Sequence, residues 1–514
     1  MRRPELLGRQ PPGYTLTIGR ILAIYAGLMV TLMLAALDQT IVATALPRIV
    51  GDLGGLTQYS WVFTAYMLTS TVTVPLYGKL GDAYGRKNLF LFAIVVFLLG
   101  SALCGVAQSM TQLVVFRALQ GIGAGGLFPL SLAVIGNIVP PRDRGRWQGL
   151  IGAVFAASSI IGPALGGFIV DNTTWRWVFF VNLPVGGLAL VVVSLTMPRR
   201  AITHRHSIDW VGAGVLAAGT ASLLLGLVWG GRRYGWTSAH VVLALAGAVV
   251  LLVVFALVER RASEPILPFE VLRNRVVGSS VACMALVGMA MFGTISYVPL
   301  FVQGVVGTSA TSSGVVLTPL MLGAVGTSIL TGQLVSRTGR YRWNAVLGPV
   351  VLTAGMVLLW RMGTGTTNGE AARNMVIAGI GIGSMMQVFV LSVQNAVARA
   401  HIGSATALTQ FARQMGATLG VTVMGAIVNH GLPPGVAAAG EGAAAIHRLP
   451  EHLRAGLADA LHPAFFAAAC VAALVWVIAV LGVREVPLRR SLDEVSAAEA
   501  AAGAPAAAPL ESTT

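Results

Sequence analysis

The sequence predicts an all-α membrane protein of fourteen transmembrane helices: two related six-helix bundles with two further helices inserted between them. Three observations predict it. The 514-residue chain is 55% hydrophobic and only 10% charged, where soluble globular domains carry about 25% charged residues. No aqueous core hides that much apolar surface, and a mean hydropathy of +0.78 makes a bilayer the solvent. Basic residues alternate between loops. Two short segments recur at offsets of 254 and 258 residues.

A spanning helix needs about 20 mainly apolar residues. Fourteen stretches meet that need: 20–45, 59–78, 88–107, 111–135, 147–170, 178–197, 208–229, 239–258, 276–301, 313–335, 343–361, 372–394, 404–428 and 463–483. The fifth is rich in Gly and Ser, and Gln387 interrupts the twelfth. The basic N-terminus precedes an apolar run too long for a signal peptide and without an A-x-A site, so it reads as an uncleaved first span.

Of the 34 lysines and arginines, 24 fall on one set of alternate loops and 8 on the other. Positive charge stays inside, which places both termini in the cytoplasm, a bacterial inner membrane being the expected location. The net charge of +15 is therefore a basic membrane face and not a nucleic-acid footprint. We expect a cytoplasmic N-terminus over 1–19, a first bundle over 20–197, two inserted helices with their loops over 198–275, a second bundle over 276–485 and a disordered tail over 486–514. The long outer loop 429–462 reads as a short amphipathic helix at the interface.

Cys104, Cys283 and Cys470 all lie in apolar runs and read as free thiols. Ligand-type clusters are missing from the sequence, so no metal or cofactor is expected, and no P-loop suggests ATP hydrolysis. The histidines lie in loops or at span ends. A membrane enzyme would need convergent polar residues in several spans, so an enzyme is not expected.

The recurring segments are GKLGDAYGRK (78–87) with GQLVSRTGRY (332–341), and GIGAGG (121–126) with GIGIGS (379–384). Parallel repeats are a transporter architecture with the substrate site between the halves.

These motifs resemble the major facilitator superfamily, and within it the fourteen-helix drug:proton antiporters, over nearly all of residues 20–485. GKLGDAYGRK is similar to the loop motif between helices 2 and 3. RALQGIGAGG (117–126) is similar to the helix-4 motif, with Arg117, Gln120 and Gly121 in place. GPALGG (162–167) resembles the antiporter motif of helix 5. WRWVFFVNLPVG (175–186) resembles a signature at the start of helix 6. LDQTIVATALP (37–47) resembles the helix-1 motif, with Ala43 where asparagine is usual. The resemblance implies an antiporter that exchanges protons for small amphipathic or cationic drug-like compounds, acting as a monomer. An exporter of a metabolite, lipid or amino acid by the same mechanism is the alternative.

Asp38 lies about 13 Å inside the outer end of helix 1, counted back from Pro47, and Arg117 about 9 Å inside helix 4. At similar depth they can pair. Burial favours a neutral acid and a neighbouring arginine favours the carboxylate, so such a site can take a proton outside and release it inside. A permanently ionised structural pair is the alternative. Met375 occupies Arg117's place in the second repeat, which confines the coupling machinery to the first half.

Gly78, Asp82, Gly85, Arg86 and Lys87 read as a tight turn. Asp82 can pair with an arginine or cap a helix N-terminus in one conformation only, forming a latch. Its counterpart is Ser336. Gly162, Pro163, Gly166 and Gly167 give helix 5 a kink and a smooth face; the resemblance implies that they seal the pathway. Arg413 is implied to be a packing or gating residue, with snorkelling to the interface as the alternative. Trp61, Phe63, Tyr66, Gln120, Phe292, Tyr297, Gln387 and Gln394 are the candidates for an amphipathic cavity. Trp61 and Tyr66 also suit interface anchoring.

Overall fold

The computed structural model describes residues 18–53, 61–139, 141–198, 209–232, 234–262, 269–306, 318–398, 401–431, 451–486 and 488. The described residues form helices joined by short turns. They are α1 Ile18–Leu53, α2 Trp61–Tyr84, α3 Arg86–Val106, α4 Met110–Ile138, α5 Pro141–Asn172 and α6 Trp177–Thr196, the last interrupted at Val181. Then follow α7 Trp210–Arg232, α8 Ala239–Glu259, α9 Arg275–Phe301, α10 Thr318–Thr338, α11 Arg342–Trp360, α12 Asn368–Ala396, α13 Ile402–Gly431 and α14 Glu451–Gly482. A short helix Phe269–Arg273 leads into α9, and a π-helical turn Val302–Val306 extends it.

Local chemistry starts several of them. Ser109 Oγ accepts from the Gln112 amide at 3.3 Å at the head of α4. Thr367 and Glu370 form a reciprocal capping box at the head of α12. Pro141 opens α5, where its missing N–H is no loss.

Among the described residues, twelve helices are long and apolar enough to cross a membrane. The second and fifth expected spans, α2 and α5, are 24 and 32 residues long but are not among the twelve. Threonines of α2 face protein. Thr69 of α2 donates to the Ala118 carbonyl of α4 at 2.8 Å, and Thr71 donates to Gln414 of α13 at 2.7 Å. By contrast α8, with mean hydropathy 3.2, has only 17% of its window buried, as a lipid-facing helix should.

The packing of α1–α6 is repeated by α9–α14. Helix α1 packs on α5 as α9 does on α13, α2 on α4 as α10 on α12, α3 on α4 as α11 on α12, and α3 on α6 as α11 on α14. The two sets meet along α2–α13 and α5–α10, which are equivalent seams under the same exchange. Helices α7 and α8 pack on each other, and α7 leans on α2 and α13.

The repeated glycines do the same work twice. A Cβ on Gly123 would meet the Ala93 carbonyl of α3 at 2.6 Å, and one on Gly381 would meet Leu352 Cα of α11 at 2.6 Å. Gly121 and Gly379 press instead on backbone of α2 and α10. Real Cβ atoms do not fit there, so glycine is what lets these helices touch. Gly85 and Gly339, matched in the other repeat, are the only described residues with positive φ, at 87° and 71°. That left-handed backbone suits glycine alone and turns the chain between helices. We expect Gly123→Val and Gly381→Val each to cut the yield of monodisperse protein several-fold in size-exclusion chromatography. Gly187→Val, in open space, leaves it unchanged.

Two boundaries differ from expectation. Residues 451–462 are not a separate interfacial helix: they are the first turns of α14, continuous through Pro463. Leu457, Ala458 and Leu461 bury there, and the His462 ring bonds the Met362 carbonyl at 2.6 Å, which fixes the segment to the end of α11. The rest of the 429–462 loop beyond Gly431 lies outside the described residues. The second bundle also runs past 485. The Val486 amide donates to Tyr341 Oη at 3.1 Å, and Leu488 is buried. The remaining tail and residues 1–17 lie outside the described residues.

Candidate functional site

Helices α1, α4 and α6 converge on a buried polar cluster. Arg117 and Gln120 stand three residues apart on α4, so both face α1. Arg117 Nη1 donates to Asp38 Oδ2 at 2.7 Å and to Gln120 Oε1 at 2.7 Å. Gln120 Nε2 donates to Asp38 Oδ1 at 2.8 Å, and Asn182 Nδ2 donates to the same oxygen at 2.8 Å. Arg117 Nε reaches the Val62 carbonyl at 3.3 Å, and its guanidinium lies 4.2 Å from the Tyr66 ring centroid. Asp38, Arg117 and Gln120 are 0% exposed. Arg117 Nη2 has no hydrogen-bond partner among the described residues.

Desolvating two ions costs several kcal/mol each, and this cluster offsets that with three donors on one carboxylate. All three are donors, and the nearby Gln120 Oε1 already accepts from Arg117. Protonating Asp38 would remove the negative charge that all three donors bond to.

A second cluster joins α2 to α13. Asp82 accepts from the Gly403 amide at 3.1 Å, the Ser404 amide at 2.7 Å and Ser404 Oγ at 2.9 Å, at the positive N-terminus of α13. Arg86 Nη2 donates to the same carboxylate at 2.7 Å, while its Nη1 donates to the Ala133 carbonyl at 2.6 Å. Asp82 thus has both partners that its sequence allowed. Gly78 lies against Ala407 of α13, and a Cβ there would also meet the Gly403 carbonyl at 3.1 Å. Lys87 donates to the Ser194 carbonyl of α6 at 2.7 Å. Gln394 of α12 donates to the Leu132 carbonyl of α4 at 3.3 Å and to Thr406 at 3.0 Å, at the same end. The two halves are closed together there.

On α5, Gly162 packs against Thr40 of α1, whose hydroxyl also reaches the Ser158 carbonyl at 3.3 Å. Gly166 is buried, and Gly167 has open space around it. The Pro163 side chain lies outside the described residues.

The cavity candidates separate into groups. Tyr66 and Gln120 belong to the Asp38 cluster. Phe63 packs into the apolar core around α1, α3 and α6, and Trp61 is half-buried at the start of α2. Gln394 is a strut between α4, α12 and α13, and Gln387 is buried on α12. Tyr297 Oη lies 3.5 Å from the Val421 carbonyl of α13. Phe292 lies beside Arg413, with 5.9 Å from ring centroid to guanidinium. Arg413 is 9% exposed.

Asn182 and its support escaped sequence reasoning. Asn182 also donates to Ser101 Oγ at 3.0 Å, and Ser101 donates to the Phe179 carbonyl at 2.9 Å. The available signal was an uncharged amide inside the apolar VFFVNLPVG. From the same signature, Arg176 donates to the Gly105 and Ala107 carbonyls at 2.9 and 2.6 Å, closing the end of α3.

A family model described as Major Facilitator Superfamily matches the chain twice, over residues 28–211 and 210–421. Among curated proteins, the chain is 40% identical to the multidrug transporter protein MdtP of Bacillus subtilis (strain 168), over 78% of this chain and 74% of that protein. It is 38% identical to multidrug resistance protein 3 of the same organism, over 78% of each. Among solved structures it is similar to the proton:xylose symporter XylE, with TM-score 0.64, 14% identity, 93% of this chain and 99% of the other. It is also similar to the human organic anion transporter MFSD10, with TM-score 0.63, 14% identity, 91% of this chain and 100% of the other.

Proposed function

The chain belongs to the major facilitator superfamily, with multidrug efflux transporters among its relatives and no enzymatic role, and from that premise we propose that it exports small amphipathic compounds in exchange for protons. It spans the cytoplasmic membrane fourteen times with both termini inside. Helices α2 and α5 count as spans because helices of both halves pack against them. Helices α7 and α8 are the inserted pair.

The observation that carries the reading is the Asp38–Arg117 pair, fully buried and tied to Gln120 and Asn182 on two other helices. Proton uptake from outside removes the carboxylate's charge and weakens its three hydrogen bonds together. Helices α1, α4 and α6 then lose their common tie. Asp82 on the N-terminus of α13 holds the cytoplasmic ends together, so the described conformation is closed on that side. Opening the inner side breaks that latch, and release of the proton inside re-forms the buried pair. The names of the relatives in Bacillus subtilis support drug-like compounds as the exported class.

Inside-out vesicles with an acid interior test this. Addition of lipophilic dyes and antibiotics alkalinises the interior as compounds enter and protons leave. A folded wild-type protein that gives no pH response to any of them sinks the proposal.

The antiporter motif gives a narrower expectation. A side chain at Gly162 pushes α5 off Thr40 and loosens the seal between α1 and α5. Gly162→Val therefore lowers the protons moved per substrate about several-fold while expression changes little. Parallel assays of dye uptake and proton flux check it; unchanged coupling reduces the motif to packing.

A further inference from the structure

Arg413 is a second deep arginine, and its surroundings differ from those of every other buried arginine described. It lies eleven residues past Ile402, about 16 Å along α13. Arg117 faces Asp38, and Arg86 faces Asp82. Arg144 donates to the carbonyls of Val139 and Gly136. Among the described residues Arg413 makes one hydrogen bond, from Nε to Gln410 Oε1 at 3.0 Å, and no carboxylate lies within ion-pair distance. Its guanidinium lies 5.6 Å from the ring of Phe128 on α4 and 5.9 Å from that of Phe292 on α9. Phe128 in turn stands edge-on to Phe155 of α5 at 5.5 Å. The three rings are not fully buried. Helices of both halves thus bring aromatic surface and one fixed positive charge to a single place.

Arginine stays charged in any protein environment, and a buried charge is normally paired. Here the described protein supplies no anion. Asp38 of α1 and Asp82 of α2 are held by other arginines, and Asp52 of α1 contacts Arg48 and Trp175. We propose that the transported compound supplies it: Arg413 anchors a carboxylate or similar planar anion, and Phe128 and Phe292 hold the compound's aromatic body. The substrates are then flat amphipaths bearing an anionic group, zwitterions included. A simple lipophilic cation meets a like charge and no carboxylate. The planar guanidinium fits a carboxylate through two parallel hydrogen bonds. This inference deepens the efflux reading and rests on it.

The probes are tetramethylrhodamine with a free carboxylate and its methyl ester, which share rings and cationic centre. Binding to the purified full chain in lipid nanodiscs is followed by fluorescence anisotropy. We expect the wild type to bind the free carboxylate about tenfold more tightly than the ester, or better. Arg413→Gln brings the two within about twofold without weakening the ester, and Arg413→Lys keeps part of the preference, having charge without the fork. Ester binding equal to or tighter than carboxylate binding overturns the proposal. So does a preference that survives Arg413→Gln, or a wild type that binds neither dye. If both variants fail to give monodisperse protein, the wild-type comparison still decides. Proton flux in vesicles is read separately. Carboxylate preference without proton movement removes the antiport reading and leaves the Arg413 site, whereas proton movement with no preference does the reverse.

Discussion

Asp38→Asn abolishes substrate-induced alkalinisation of inside-out vesicles while the protein still inserts. The amide keeps an acceptor for Gln120 and Asn182, the donors at 2.8 Å. It turns an N–H toward Arg117 or loses the geometry altogether, and leaves a buried cation uncompensated. Breaking a buried ion pair from one side costs about 3–5 kcal/mol, so Asp38→Asn also gives less monodisperse protein. The double variant Asp38→Asn, Arg117→Gln removes both charges and recovers much of that yield, because neutral replacement of a buried pair is often nearly neutral in energy. It does not recover proton movement. Full proton-coupled transport by Asp38→Asn would falsify the role given to the carboxylate. Recovery of coupling in the double variant would reduce the pair to a structural strut.

The second large effect is at the latch. Asp82→Ala removes the acceptor for two backbone amides, one hydroxyl and Arg86, all between 2.7 and 3.1 Å. Hydrogen bonds to charged groups are worth about 1.5–3 kcal/mol each, so the balance moves toward the inward-open form by about tenfold or more. A cysteine in place of Ala407, which faces Gly78 at this seam, reports the change. A membrane-impermeant maleimide on the cytoplasmic side labels it slowly in the parent and several-fold faster with Asp82→Ala. Equal labelling rates would show that the seam closes without Asp82. Transport falls in either direction of imbalance, so the labelling rate is the decisive measurement.

Much of this was legible in the chain. A bilayer constrains backbone strongly: every polar group must be bonded within its helix, so long apolar runs announce themselves. The repeat was legible because glycines at helix crossings tolerate no substitute, and Gly121, Gly123, Gly379 and Gly381 serve the same crossings in each half. Asp38 and Arg117 were legible because an ion in hydrocarbon needs a reason. Uncharged groups carry no such signal. Asn182 and Ser101 resemble any polar residue of a packed membrane helix. Gln394 resembled a cavity residue but ties α12 to α4 and α13. The fourteenth expected span began at residue 463, yet α14 starts at Glu451, and Leu457 and Leu461 bury ahead of that point.

The sequence by itself determined the solvent, the approximate spans, the twofold repeat and the pair of ions, because each follows from the cost of polar groups in lipid or of a Cβ at a close crossing. Only the tertiary structure decided which charges are satisfied. Asp38 accepts from two helices besides its own, Asp82 holds the start of α13, and Arg413 stands between two phenylalanines with no described carboxylate. Those outcomes depend on contacts between residues as far apart as 82 and 404, which helical periodicity, a local property, does not encode.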